Sequence, residues 1–311
     1  MKILFTGASS FTGYWFVKEL SAAGHDVVAL LHRQPQDYSE EPRKSRVAAL
    51  RDICDARFGF TFGDAAFLDV ISKDRWDLFC HHAADVTNYR DPNFNVDKAV
   101  KNNTHQLPSV LDALLAAGCG KTILTGSVFE NDEGTGTRPR AAFSPYGLSK
   151  GLTWQAFRYH TQSRPMALGK FVIPNPFGPY EEPRFTQFLI KNWFAGTVPS
   201  VSTPSYVRDN VHVSLLAKVY RQFAENLSSG ISRINPSGYA EAQGAFAQRL
   251  AKEMQPRLGL PCDLKLNEQT DFSEPLVRTN TDRPDEAALG WNEKTAWDDM
   301  ADYYLRLMGD R

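Results

Sequence analysis

Short apolar runs alternate with stretches of helical periodicity through the first half of the chain, and this alternation restricts the fold more than any other feature. Lys2 to Phe5 reads as a buried strand, followed by a glycine-bearing turn and a helix over about Gly13 to Ala23. A turn at Gly24-His25-Asp26 leads into a second strand, Val27 to Leu31. A weaker strand ends at Phe62, and Trp76 to His81 reads as the next. Asn103 to Ala117 has helical spacing and stops at Gly118, Thr122 to Thr125 is β-rich, and Tyr146 to Thr161 is helical again. Strands separated by helices of this length are βαβ units, so the pattern predicts an α/β protein with a mostly parallel sheet covered on both faces.

At 311 residues the chain has room for about two domains. After Lys170 proline becomes dense (Pro174, Pro176, Pro179, Pro183) and the elements become irregular, with helical spacing again over Leu215 to Ala224 and Trp297 to Met308. The expected organisation is a first domain over 1–173, to which the chain returns around 205–235, and a smaller mixed domain made mainly of 174–311. The polar stretch 34–51 carries both charge signs and reads as a solvated loop entering a helix.

Charge and cysteine usage exclude several classes. Lys plus Arg total 35 against 36 for Asp plus Glu, without the basic excess that nucleic acid or an anionic membrane requires. Cys54, Cys80, Cys119 and Cys262 are far apart, with no C-x-x-C pair. They make neither a disulfide scaffold nor a zinc site, so a reducing compartment is expected. Ile3-Leu4-Phe5 is too short for a signal-peptide core, and no stretch approaches the ~20 apolar residues of a membrane span. The expectation is a cytoplasmic, unanchored protein.

Thr6-Gly7-Ala8-Ser9-Ser10-Phe11-Thr12-Gly13 lies between the first strand and the first helix. There a turn of small residues lets backbone N–H groups approach a pyrophosphate at the helix N-terminus. Gly7 permits the tight turn and Gly13 close helix–sheet packing. Ser10 stands where such turns usually carry their middle glycine; it is tolerable with ordinary backbone angles, and its hydroxyl is placed to contact phosphate. The second strand ends in His32-Arg33, with no acid at its tip to hold a ribose 2′-hydroxyl. An arginine there suits a 2′-phosphate, so NADP is expected, with NAD as the alternative.

Tyr146-Gly-Leu-Ser-Lys150 places a phenol and an ammonium one helical turn apart. A neighbouring cation lowers a tyrosine pKa, which suits a proton-transfer residue. With the glycine turn and the strand end Thr125-Gly126-Ser127 before it, the chain resembles the extended short-chain dehydrogenase/reductase family of sugar-nucleotide epimerases, dehydratases and 4-ketoreductases. The resemblance runs nearly end to end. It includes Gly63-Asp64, His81-His82-Ala83-Ala84, Asn103, the segment Pro174 to Pro179, Val207-Arg208-Asp209-Asn210-Val211-His212-Val213 and Leu289-Gly290-Trp291. The two adjacent histidines have no further ligands at metal spacing, and no metal is expected.

The resemblance implies a Rossmann-like doubly wound parallel sheet with a smaller, mixed substrate-binding domain. It assigns the cofactor to Gly7, Ser9, Ser10, Phe11, Thr12, Gly13, His32, Arg33, Asp64, Ala83, Ala84, Tyr146, Lys150 and Pro174. It assigns a nucleotide-sugar substrate to Asp85, Thr87, Ser127, Asn175 and Arg208. Tyr146 is the proton donor or acceptor, and Lys150 holds the ribose and tunes the phenol. Thr125 aligns with the family's hydroxyl that meets the reacting sugar oxygen and is favoured for that role, with Ser127 as the alternative. Gly126-Ser127 replaces the dehydratases' Asp-Glu pair, and Ser127 stands where enzymes that invert C3 and C5 use cysteine. What remains is 4-keto reduction or 4-epimerisation, and Arg33 favours NADPH-dependent reduction of a 4-keto-6-deoxy sugar. A non-catalytic NADP-binding regulator is a third reading, which any turnover would discard. The resemblance also implies a homodimer through a four-helix bundle, built from helices over about Asn95 to Ala117 and Tyr146 to Thr161.

Overall fold

The structure, a computed structural model, describes residues 1–136 and 141–309; residues 310 and 311, the end of the expected second domain, lie outside the described residues. The chain begins β1 (Lys2–Thr6), α1 (Phe11–Ala22), β2 (Asp26–Leu31), α2 (Arg43–Ile53), β3 (Asp55–Phe58), α3 (Ala65–Ser72) and β4 (Leu78–His81). It continues with α4 (Val96–Asn103), α5 (Leu107–Ala116), β5 (Lys121–Ser127), β6 (Thr135–Gly136), α6 (Pro145–Gln162), β7 (Ala167–Ile173) and β8 (Asn175–Phe177). Next come α7 (Phe185–Phe194), β9 (Ser200–Val201), β10 (Val207–His212), α8 (Val213–Asn226) and β11 (Ile231–Ile234). The last elements are β12 (Tyr239–Ala242), α9 (Gln243–Leu258), β13 (Lys265–Leu266), β14 (Val277–Thr279) and α10 (Glu293–Met308).

Seven parallel strands form the main sheet in the order β11-β7-β5-β4-β1-β2-β3. Strand order reverses between β1 and β4, and an open α/β sheet forms its ligand crevice outside the carboxyl ends at such a point. On one face α1 packs against α2 and α8, burying Phe16, Val17, Leu20, Leu216 and Tyr220; on the other, α3, α5 and α6 bury Phe67, Leu111, Leu114 and Phe157. A smaller mixed sheet runs β12-β10-β14-β6, with β8 also paired to β10, and a third core lies among α7, α9 and α10. The sheets do not divide the chain at one point. The small sheet takes β6 from before residue 173, and the large sheet takes β11 from after it.

Local chemistry explains where elements depart from the sequence expectation. The helix expected over Asn103 to Ala117 is broken, with α4 ending at Asn103 and α5 starting at Leu107 after Gln106 at φ 52°. Pro108 has no N–H to donate to the Thr104 carbonyl and would clash with it, which favours a break here with the proline in the first turn of α5. The strand expected to reach Phe62 stops at Phe58, where Gly59 turns at φ 83°. Ser10 begins α1 two residues early by capping it, its Oγ accepting from Gly13 N–H at 3.2 Å. The stretch 34–51 does hold a loop entering a helix, but Arg46 within it is fully buried. No helix among the described residues is long and apolar enough to cross a membrane.

Phe16 sits where α1, the sheet and α8 meet, stacked on Tyr220 at 4.0 Å and edge-on to Phe171 at 5.5 Å. Phe16→Ala should cost about 3–5 kcal/mol of stability through lost burial and a cavity. A urea titration giving an unchanged midpoint would refute this packing.

Candidate active site

The β1–α1 turn lies against the carboxyl end of β4. Gly7 has φ 82°, and a Cβ on it would stand 2.6 Å from Ala83 N; one on Gly13 would stand 2.3 Å from Gly7 O. The expected turn and the Ala83-Ala84 segment are therefore brought together at a distance only glycine permits. α1 has no acidic residue in its first turn, so nothing at its N-terminus repels a phosphate. Ser10 keeps ordinary angles, φ −73° and ψ 166°. Its hydroxyl, expected at phosphate, is instead committed within the protein, donating to Gly7 O at 2.9 Å and accepting from Gly13 N–H. Thr12 Oγ1 lies 3.2 Å from His82 Nε2, and Phe11 is buried. Ser9 O accepts from Arg46 Nε at 3.0 Å, while Arg46 also donates to Tyr180 O at 2.7 Å and pairs with Glu182 at 2.5 Å. Arg46 thus ties the turn to the loop that follows β8, a role that its charged neighbours in sequence concealed.

At the tip of β2, His32 and Arg33 are exposed. Arg33 N–H donates to Tyr38 Oη, and its guanidinium is left for solvent or ligand. Asp64 caps α3, accepting from Phe67 N–H at 2.7 Å, so its carboxylate is committed to the helix. His81 bridges Thr6 Oγ1 (3.0 Å) and Asn103 O (3.2 Å). Asn103 in turn holds Asp85 N–H on its Oδ1 at 2.8 Å and donates from Nδ2 to Thr153 Oγ1. Asp85 accepts from Thr87 N–H and Asn102, so the carboxylate shapes its own loop. Pro174 is buried, and Asn175 is half-buried at the start of β8, in register with Asn210 of β10.

Tyr146 and Lys150 occupy successive turns of α6, which Ser144 caps and Pro145 starts. The phenol ring meets Tyr89 at 5.5 Å and Phe94 at 6.1 Å. Burial pushes the Tyr146 pKa up, and the Glu130 charge pushes it the same way. This corrects the expectation that Lys150 lowers it. Desolvation outweighs the cation that acts to lower it, Arg184, and Tyr146 is a phenol at neutral pH. Lys150 is buried; desolvation brings it down to about 8, Glu130 opposing that shift and Lys170 adding to it. Behind them Lys170 Nζ lies 2.6 Å from both Glu130 and Glu133, all three nearly inaccessible to solvent. Glu130 also accepts from Ser127 N–H at 2.7 Å.

Thr125 Oγ1 contacts His82 Nδ1 at 2.9 Å, and Ser127 Oγ accepts from Phe129 N–H at 3.2 Å. Arg208, expected at the substrate, is paired with Glu274 at 2.8 Å, donates to the Pro275 and Leu276 carbonyls and lies over the Tyr206 ring. An anion would have to displace Glu274 to reach it. A cavity of ≈ 640 Å³ is lined instead by Arg90, Arg184 and Lys191, with Phe185, Phe188 and Ser202. It adjoins the tyrosine, because Arg90 lies over the Tyr89 ring that packs on Tyr146 and the Arg184 charge acts on the same phenol. These three cations carry no motif, and only the fold assembles them.

A doubly wound sheet with a glycine cradle at its switch point and a Tyr/Lys helix beside it defines a dinucleotide-dependent enzyme. Residues 3–235 match the NAD dependent epimerase/dehydratase family, and the chain belongs to that family. It is an enzyme of the extended short-chain dehydrogenase/reductase type. Among solved structures it is similar to a Bacillus cereus UDP-glucuronic acid 4-epimerase mutant in complex with a fluorinated UDP-glucuronic acid and NAD (TM-score 0.74, 17% identity, 99% of this chain and 100% of that). It is similar also to a Thermotoga maritima UDP-glucose 4-epimerase (0.71, 17%, 99% of each). A third is a Streptomyces venezuelae dTDP-glucose 4,6-dehydratase double mutant (0.70, 18%, 99% and 98%). No curated protein matches.

The Lys150 ammonium, ordinarily charged to above pH 10, is half-neutralised near pH 8. An activity that uses this cation should fall as pH rises through about 8, and Lys150→Arg should move that limb upward by a unit or more. A pH–rate profile flat from 7 to 10 would contradict the assignment.

Proposed function

We propose that the protein reduces a nucleotide-linked 4-keto-6-deoxy sugar at C4 with NADPH. The observation that carries this reading is the free Arg33 guanidinium at the end of β2, where no acid competes for a ribose 2′-phosphate. The turn 7–13 suits a pyrophosphate, because Gly7 and Gly13 let it close against Ala83 and onto itself at the N-terminus of α1. Lys150 is within one turn of Tyr146 to hold the ribose, and Pro174, Ala83 and Ala84 line the same edge. Residues 1–173 with β11 would carry the dinucleotide, and most of 174–311 the sugar nucleotide.

When bound, the nicotinamide supplies the hydride that C4 takes up. Tyr146, kept protonated by burial, gives its proton to the C4 oxygen as negative charge develops there. The Lys150 charge and a β5 hydroxyl stabilise that oxygen where water is excluded. Arg90, Arg184 and Lys191 offer three positive charges to the diphosphate and sugar. A 4-epimerase is the second reading, favoured by the epimerases that share the fold, one of them solved with NAD; it uses the same tyrosine in both directions.

Incubation with a nucleotide 4-keto-6-deoxyhexose and C4-deuterated NADPH should place deuterium at sugar C4 with stoichiometric loss of cofactor. Interconversion of C4 epimers without net consumption would establish the epimerase instead. Tyr146→Phe should leave NADPH binding nearly intact and cut turnover by about 10²–10⁴-fold; full activity in that variant sinks both readings. Arg33→Asp should weaken NADPH roughly ten- to hundredfold and NADH much less, as for a charge-assisted contact.

We also propose a homodimer. Trp154 and Phe157 of α6 belong to the core, but Leu148, Leu152 and Tyr159 form an exposed stripe, Tyr159 at 72%. Such a stripe on a helix beside α4 and α5 marks an association face. Light scattering should give about twice 34.9 kDa at micromolar concentration, and Tyr159→Glu should halve it.

A further inference from the structure

The imidazole of His82 lies beneath the phosphate-binding turn, between Phe5 and Phe16 at 5.8 and 5.3 Å. Its Nε2 is 3.0 Å from Ser10 Oγ and 3.2 Å from Thr12 Oγ1; its Nδ1 is 2.9 Å from Thr125 Oγ1. One ring therefore spans from the N-terminus of α1 to the end of β5. An apolar side chain would fill the same space, but histidine adds two polar atoms and both are engaged.

The hydrogens can be placed by counting donors. Gly7 O can only accept, so the single hydroxyl hydrogen of Ser10 goes to it at 2.9 Å. Ser10 Oγ accepts from Gly13 N–H on one lone pair and faces Nε2 with the other, so Nε2 carries a hydrogen that Thr12 Oγ1 shares. Desolvation, reinforced by the Lys150 charge, holds the ring pKa down to about 3, so the imidazole is neutral and Nδ1 is bare. The 2.9 Å contact to Thr125 then needs the Thr125 hydrogen. This is the neutral assignment that puts a hydrogen into every contact. Thr125 is left with lone pairs alone and cannot donate to a sugar oxygen. Ser127, two residues on and on the same face of β5, accepts from Phe129 N–H and keeps its own hydrogen.

We propose, resting on the C4 chemistry above, that His82 is a positioning residue locking the phosphate-binding turn to β5, and that Ser127 rather than Thr125 is the hydroxyl that donates to the sugar C4 oxygen. The lock makes the pyrophosphate cradle and the reacting strand end one mechanical unit. Removing its Thr125 end loosens the turn, which is read in cofactor affinity; removing Ser127 touches only the chemistry.

The test measures NADPH affinity by fluorescence titration and turnover at saturating NADPH for Thr125→Val, Ser127→Ala, His82→Leu and the Thr125→Val/His82→Leu pair. Thr125→Val should weaken NADPH about 3–10-fold, the scale of one hydrogen bond, with saturated turnover within about threefold. His82→Leu should do the same, and the pair should lose no more than either alone. Ser127→Ala should keep its affinity and lose roughly 10²–10³-fold in turnover. Hundredfold loss of turnover in Thr125→Val at unchanged affinity, or additive losses in the pair, overturns the proposal. Ring ¹⁵N shifts of the unaltered protein should show the Nε2–H tautomer, and an Nδ1–H tautomer overturns it as well. Thr125→Val preserves volume, so the affinity arm stands even if His82→Leu fails to fold. Absence of turnover with every nucleotide 4-keto sugar in the unaltered protein would defeat the C4 reading and the Ser127 role with it, while affinity and ¹⁵N data still judge the lock.

Discussion

Lys170 carries a charge out of water, and the arrangement of the two sheets depends on how that charge is met. Its ammonium sits between Glu130 and Glu133, with the Trp154 ring of α6 at 5.0 Å. Taking such ions from water is costly, and the cost is offset only where every remaining lone pair finds a donor. Here each carboxylate oxygen has a donor: Lys170 reaches one oxygen of each, Glu130 also receives Ser127 N–H, and Glu133 also receives Asn235 Nδ2 at 2.8 Å. Arg278 of the small sheet completes the seam by donating to Val128 O and Glu130 O. The end of β5, the helix bearing Tyr146 and the small sheet are thus held in register by one buried network. That network also sets the charge around the active site, because Glu130 raises the Tyr146 pKa and opposes the fall in Lys150.

The second constraint is steric. Gly7 and Gly13 let the turn close onto Ala83 and onto itself, and any side chain at either position would overlap backbone. Arg46 then fastens the turn to the loop carrying Tyr180 and Glu182, just before Arg184 in the cationic cavity. The cradle and the cavity are consequently coupled through one fully buried guanidinium. Its loss would leave two carbonyls without their donor and Glu182 with the longer Arg43 contact at 3.5 Å.

The elements could be read from the chain because their signals are local. Apolar runs of strand length, the helical spacing from Tyr146 to Thr161 and the glycines of the turn act through neighbours a few residues away. The spacing of Tyr146 and Lys150 is likewise a property of one helix. The broken helix was local in origin too: Pro108 was present in the expected helix, and its missing N–H favoured a break there.

What the amino-acid order determined unaided was the βαβ alternation, the phosphate-sized turn, the absence of an acid after β2 and the presence of a phenol and an ammonium one turn apart. Only the tertiary structure decided what surrounds each polar group. Glu274 reaches Arg208 from 66 residues away, His82 meets Thr125 across 43, and Asn235 meets Glu133 across 102. The sign of the Tyr146 shift follows from the same cause. A pKa responds to the solvent removed and to charges brought near by distant segments, whereas a helix or a turn responds to the backbone preferences of a few adjacent residues.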